Sequence, residues 1–230
     1  MAATFLLPLA LVALATCAPT AAPPPPSRPQ APPAPPPRST APPGGVPLSA
    51  LTGAGQLPLR LARQVLADRA PRLGPLDREG VARVLAQADV RQGLPVLLLL
   101  GLIQEESRFD PAAQGPRGAR GLMQLRPFVA RAVAERAGWP FEDAVLWDPV
   151  QNVRLGVRYL AELQRRFGSA EGALAAYNIG PTRLRRRLAA GQPALGPYVR
   201  RVLERYRALR RAYGGPERPG QAVGALEAGS

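Results

Sequence analysis

Leu94-Pro95-Val96-Leu97-Leu98-Leu99-Leu100-Gly101-Leu102-Ile103-Gln104-Glu105-Glu106 is the stretch on which the fold turns. Its apolar residues leave no polar face at helical spacing, so the run predicts a helix buried on all sides rather than an amphipathic surface helix. Such a helix needs a shell of other helices around it. The run ends on two carboxylates, and a carboxylate delivered by a buried helix is partly desolvated, which disfavours its charged form. Its pKa should rise from a reference of about 4.3 toward roughly 6, the range a general acid needs near neutrality. The plainer alternative is that a glutamate here only caps or solvates the helix end. Spacing alone does not separate Glu105 from Glu106. Asp110-Pro111 is expected to stop the helix.

Outward from this run the signals are helical almost throughout Leu48 to Tyr213. Val81, Val84, Leu85 and Ala88 recur at helical spacing after an Asp77 cap, and Arg91-Gln92-Gly93 ends that pattern. Pro127 to Ala137 reads as a helix closed by Gly138. Asp148-Pro149 opens another, with Val153, Gly156, Val157, Leu160, Leu163 and Phe167 on one face and Gly168 past its end. Gly172 to Asn178 is short. Pro197 to Tyr213 puts Val199, Val202, Leu203, Tyr206 and Tyr213 on a stripe, and an extra helix is expected around Leu59 to Arg69. No alternating strand pattern appears. The expected class is mainly α.

Composition narrows the chemistry. The 230 residues contain no histidine and one cysteine, Cys17, so Ser-His-Asp and Cys-His catalysis and the usual His/Cys zinc sites are excluded. Carboxylates must carry acid or base work, and neither a metal nor an organic cofactor is implied. The net charge of +14 comes from arginine alone and favours anionic partners. Nucleic acid is not expected, because no helix-turn-helix or RNP pattern interleaves aromatics with the arginines. The densest stretches, Arg183 to Arg187 and Arg200 to Arg211, read as solvated helix faces.

The first residues carry an address. Phe5 to Ala15 is a short apolar run followed by small residues, the pattern of a secretory signal peptide at 1–17, although no Lys or Arg precedes it. Cys17 after Leu14-Ala15-Thr16 resembles a bacterial lipobox. Two outcomes stand open, a lipidated cysteine that anchors the chain to a membrane and ordinary cleavage near Ala15. Residues 18–48 form a Pro, Ala, Ser and Thr tract that cannot pack a core and should stay extended and solvated. Residues 49–76 read as an N-terminal helical extension, 77–213 as the catalytic domain and 214–230 as a disordered tail. The expected location is outside the cytoplasm, in the periplasm or cell envelope.

Three blocks in order carry a resemblance: Glu106-Ser107-Arg108-Phe109-Asp110-Pro111, then Gly121-Leu122-Met123-Gln124, then Ala175-Ala176-Tyr177-Asn178-Ile179-Gly180-Pro181. Together they resemble the lytic transglycosylases, and the likeness spans about Asp77 to Leu188. That family has a goose-type lysozyme-like fold and cuts bacterial peptidoglycan. The resemblance selects Glu106, the glutamate directly before serine, as the acid. It further implies that Met123 and Gln124 contact the glycan, that Tyr177 stands beside the acid and that Asn178 binds substrate. The implied partner is the peptidoglycan glycan strand, and monomer is the expected state.

The implied mechanism uses one protein carboxyl. Glu106 protonates the oxygen linking N-acetylmuramic acid to N-acetylglucosamine, the substrate's own N-acetyl carbonyl attacks, and Glu106 then takes the C6 hydroxyl proton as a 1,6-anhydro ring closes. A hydrolysing muramidase on the same fold and a non-catalytic peptidoglycan-binding module are the alternatives, with Glu105 and Asp110 the fallback carboxylates for hydrolysis. The chain departs from the family at Gly115, where many members carry a serine, and at Arg120, where a small residue is frequent.

Overall fold

The computed structural model describes residues 56–214. The readings for the signal segment, Cys17, the tract at 18–48, residues 49–55 and residues 215–230 lie outside the described residues.

Within them the chain is helical as expected. It forms α1 (Gln56–Arg69), α2 (Pro75–Gln92), α3 (Val96–Ser107), α4 (Pro127–Ala137), α5 (Pro149–Phe167), α6 (Ala170–Ile179), α7 (Pro181–Ala189) and α8 (Pro197–Tyr213). Two 3₁₀ turns, Pro116–Gly118 and Asp143–Trp147, interrupt the loops on either side of α4. The extended pairing described is limited to isolated bridges, Gln114 with Arg120 and Arg120 with Leu125. They pin back the loop between α3 and α4.

Helix α3 is the buried axis. Val96 through Ile103 are all buried, and Leu99, Leu100, Leu102 and Ile103 have no exposed surface. Its first N–H groups would be orphaned at a Pro95 cap without a side-chain acceptor. Asp89 from the last turns of α2 supplies one, accepting the Val96 N–H at 2.7 Å.

Gly101 sets the closest crossing. A methyl group on its Cα would lie 3.0 Å from the backbone nitrogen of Tyr206 and 3.3 Å from the carbonyl oxygen of Val202. Only a glycine lets α3 and α8 approach backbone to backbone, and α8 makes its broadest contact with α3. The crossing lies one and a half turns before Glu106. It therefore lays the first turns of α8 along the two glutamates.

Several boundaries differ from the sequence reading for local reasons. Helix α3 ends before Asp110-Pro111, because Arg108 and Phe109 both turn left-handed, at φ of 54° and 62°. Two consecutive non-glycine residues in that region are costly, and burial of the Phe109 ring at 3 % exposure holds them there. Asp77 lies in the first turn of α2 and makes no capping hydrogen bond; Gly74 is the cap. Gly180-Pro181 ends α6 but also opens α7, since proline fits the first position of a helix. The Asp148 cap of α5 is as read, its carboxylate accepting from Val150 and Gln151 at 2.8 and 2.9 Å.

Candidate active site

Helices α3 to α7 and the loop at 116–126 line a cleft of about 1020 Å³, with Glu106, Gln124, Phe128, Tyr177 and Asn178 among the lining residues. Glu106 reaches it from the last turn of α3, half-buried. Burial pushes its carboxyl up to about 7. A hydrogen bond from Tyr198 works in the opposite direction by favouring the carboxylate, and the negative charge of Glu105 adds to the rise. Near neutrality this group can hold a proton, release it and take another. That is what a single acid-then-base requires.

Glu105 is different in kind. Its side chain is 13 % exposed and engaged by α8, with Arg201 Nε 2.5 Å from one carboxylate oxygen and Arg205 Nε 3.7 Å from the other. It does not line the cleft. The pair that spacing left unresolved is thus separated by packing: one carboxylate is spent on two arginines, and its neighbour faces the cavity.

Tyr198 was not legible as a site residue. Its hydroxyl donates to Glu106 Oε1 across 92 positions of sequence. Burial and the facing carboxylate raise the phenol well above its ordinary pKa, so it stays a donor. The signal available in the sequence was an aromatic just off the apolar stripe, one residue after Pro197 at the start of a helix. Only the crossing at Gly101 gives that position a meaning.

Tyr177 lines the cleft too, but its hydroxyl is committed elsewhere: it donates to the Met123 carbonyl at 2.7 Å. Its ring lies 5.4 Å from that of Tyr159, tilted by 45°. Burial and then the Glu106 charge raise its pKa well above the usual value. Tyr177 therefore braces the Gly121 to Gln124 loop, while Tyr198 is the phenol bonded to the carboxyl. Asn178 is exposed on the cleft wall.

Met123 does not reach the cleft with its side chain. The thioether has no exposed surface and packs against Gly156 of α5. The loop turns it inward because its backbone N–H donates to Asn152 Oδ1 at 2.8 Å. What Met123 offers the site is the carbonyl that holds Tyr177. Gln124 does line the cleft, and its amide donates to the carbonyls of Ala113 at 3.0 Å and Gly121 at 2.9 Å. Its backbone is left-handed at φ 46°. Its remaining oxygen lies against Gly115, where a methyl group would overlap it. A glycine at 115 thus accommodates this placement of Gln124.

Asn152 is the buried peg of the loop, with no exposed surface. Besides the Met123 N–H, it donates to the carbonyls of Arg120 at 2.9 Å and Leu146 at 3.0 Å. Gly121 passes so close, at φ 73°, that a side chain would meet the Leu146 oxygen at 2.6 Å. Arg120, the departure noted in sequence, turns its guanidinium outward over the Trp147 ring at 5.5 Å and 3.7 Å from Asp143. Among the described residues no cluster of three or more acidic, His or Cys side chains is placed to hold a metal ion.

Residues 83–193 match the transglycosylase SLT domain. The chain is 36 % identical over 124 residues to the membrane-bound lytic murein transglycosylase F of Desulfosudis oleivorans, covering 51 % of this chain and 24 % of that protein. It is 33 % identical over 95 residues to the soluble lytic murein transglycosylase of Escherichia coli K12, covering 40 % and 15 %. It spans about a quarter or less of the length of these relatives. An inactive variant of the lytic transglycosylase Slt from Pseudomonas aeruginosa superposes with a TM-score of 0.53 at 25 % identity, covering 73 % of this chain and 31 % of that one.

Proposed function

The chain belongs to the lytic transglycosylase SLT family, and on that premise we propose that it cleaves the β-1,4 bond between N-acetylmuramic acid and N-acetylglucosamine in peptidoglycan without water, leaving a 1,6-anhydro end. The observation that carries the proposal is Glu106, desolvated to about 7 on the wall of an open cleft.

The chemistry needs one carboxyl in two states. Protonated Glu106 gives its proton to the glycosidic oxygen as the C1–O bond breaks, and the substrate's N-acetyl carbonyl oxygen bonds to C1. The ionised Glu106 then removes the C6 hydroxyl proton, O6 displaces the carbonyl oxygen at C1, and Glu106 is returned protonated. A two-carboxylate hydrolase would set a second carboxylate across the bond. Among the described residues the other carboxylate lining the cleft is Glu162, which is held by Arg136 at 2.7 Å and Arg158 at 3.4 Å. Asp110, a fallback for hydrolysis, faces Arg72, and Glu105 faces Arg201. These engagements support the single-carboxyl route.

In this reading Tyr198 positions the Glu106 carboxyl, Gln124 and Asn178 meet the glycan, and Tyr177 shapes the wall on which they stand. Met123 supports the wall from behind. We further propose that residues 77–213 are the catalytic unit, that the protein acts in the cell envelope after export directed by residues 1–17, and that it works as a monomer on glycan strands. No described helix is long and apolar enough to cross a membrane. Cys17 is where a lipid anchor would be attached. Digestion of purified peptidoglycan by the chain and by its Glu106→Gln variant, with the fragments weighed by mass spectrometry, tests the activity. Lipid labelling of Cys17 in cells tests the anchor.

A further inference from the structure

Two carboxylates stand side by side at the end of α3, and two arginines approach them from one face of α8. Tyr198, Arg201 and Arg205 follow one another at i, i+3 and i+7, so they share a side of that helix, with Tyr198 and Arg201 about 4.5 Å apart along its axis. Glu105 and Glu106 are consecutive, and their Cα atoms are only about 3.8 Å apart. Helix α8 begins past residue 193, where the match to the transglycosylase SLT domain ends.

The cations are shared out unevenly between the two carboxylates. Both go to Glu105, Arg201 Nε at 2.5 Å and Arg205 Nε at 3.7 Å. Glu106 forms no salt bridge among the described residues, and its partner on α8 is the neutral hydroxyl of Tyr198. Tyr177 of α6 is close enough to feel its charge. The charged groups on the rest of the cleft wall are Arg117, Arg126, Arg136, Glu162, Arg166 and Arg183, and none of them is paired with Glu106 among the described residues.

This distribution matters for a general acid. An opposite charge within about 4–6 Å lowers a carboxyl by roughly 1–3 pH units, so an arginine bonded to Glu106 would hold it ionised and unable to donate. The bridges to Glu105 add little to the stability of the fold, because the two arginine side chains are 51 % and 49 % exposed. Their consequence falls on the neighbouring acid.

Resting on the reading of Glu106 as the acid, we propose that Glu105 is a positioning residue that keeps Arg201 and Arg205 away from Glu106, so that α8 offers the acid only the neutral Tyr198 hydroxyl and the acid retains its proton. Glu105 does not line the cleft, so it acts through the arginines and not on the substrate. Its own negative charge works in the same direction, opposing ionisation of Glu106. A brace that merely held Tyr198 in place would behave differently. Loosening such a brace would weaken the Tyr198 bond and make Glu106 harder to ionise, whereas releasing the arginines makes it easier.

The test is a titration of the Glu106 carboxyl carbon by NMR in the full chain, the resonance being identified by its loss in Glu106→Gln. The parent midpoint is expected near 7. Glu105→Gln keeps the shape of the side chain and frees the arginines, and should lower the midpoint by about one to two pH units. Adding Arg201→Gln and Arg205→Gln to that variant should recover at least about half of the drop. In assays of anhydro-product release the alkaline limb of kcat/KM should move with the midpoint, while KM measured at pH 5 stays as in the parent. A midpoint that holds or rises in Glu105→Gln, a drop that arginine removal does not recover, or a changed KM at pH 5 overturns the proposal. The titration needs no substrate, so it reads the role of Glu105 independently of the activity, whose failure would be the absence of anhydro product from the unaltered chain.

Discussion

Replacing Tyr198 by Phe deletes one hydroxyl and leaves the ring that packs beside Glu106. The lost bond runs from a neutral donor to a carboxylate, a class worth about 1.5–3 kcal/mol net. It favours the ionised form, so its removal disfavours that form by this amount. At 1.36 kcal/mol for each pH unit, the Glu106 carboxyl should rise from about 7 to roughly 8–9. In the proposed mechanism the first chemical step needs Glu106 protonated, so the alkaline limb of kcat/KM reports this ionisation in the free enzyme. We expect that limb to move upward by one to two pH units in Tyr198→Phe, while the plateau falls because the carboxyl is held less firmly. The assay is anhydro-product release from soluble glycan oligomers between pH 5 and 10. A limb that stays in place, or moves to lower pH, would refute the assignment of Tyr198 as a donor to the Glu106 carboxylate.

Three further outcomes follow from the same geometry. The unfolded chain should release the Glu106 proton near 4.5 and the folded chain near 7, so the folded state binds more protons between those values and stability falls as pH rises through that window. Glu106→Gln removes the titration; denaturant unfolding should find it no different from the parent at pH 4 and more stable by up to roughly 3 kcal/mol at pH 8. Asn152→Ala would leave the Met123 N–H and the Leu146 carbonyl unpaired in the interior, and the Arg120 carbonyl with the Leu125 N–H alone, a loss of about 2–4 kcal/mol by thermal unfolding, with activity lost before the fold. Gly115→Ser would force Gln124 from its place, so KM should rise severalfold with little change in overall stability, and equal KM values would show that Gln124 does not meet the glycan.

The helical framework was legible where local chemistry decides it. The apolar run at 94–103 could only be a buried helix, and the Pro127 start and Gly138 stop of α4 were both visible as end signals. Helix α7 was read only as a solvated face at Arg183 to Arg187 and its bounds were not, because a Gly-Pro pair is as good an ending as a beginning, and its polar surface leaves Leu184 as its buried residue. The candidate site was legible in part for the same reason. Glu106 is marked by its own neighbours, whereas Tyr198 becomes its partner only through the close crossing at Gly101, a long-range fact with no local signature. Met123 illustrates the converse. Its block pointed to the groove, but the buried Asn152 turns the side chain into the core.

The central claim is that Glu106 alone serves as acid and then base on peptidoglycan. Its most direct test is the mass of the fragments released from purified peptidoglycan by the chain and by Glu106→Gln. The account predicts anhydro-terminated fragments, each one water lighter than a reducing end, from the unaltered chain and none from the variant. Reducing ends in their place, or product that persists without the Glu106 carboxyl, would contradict it.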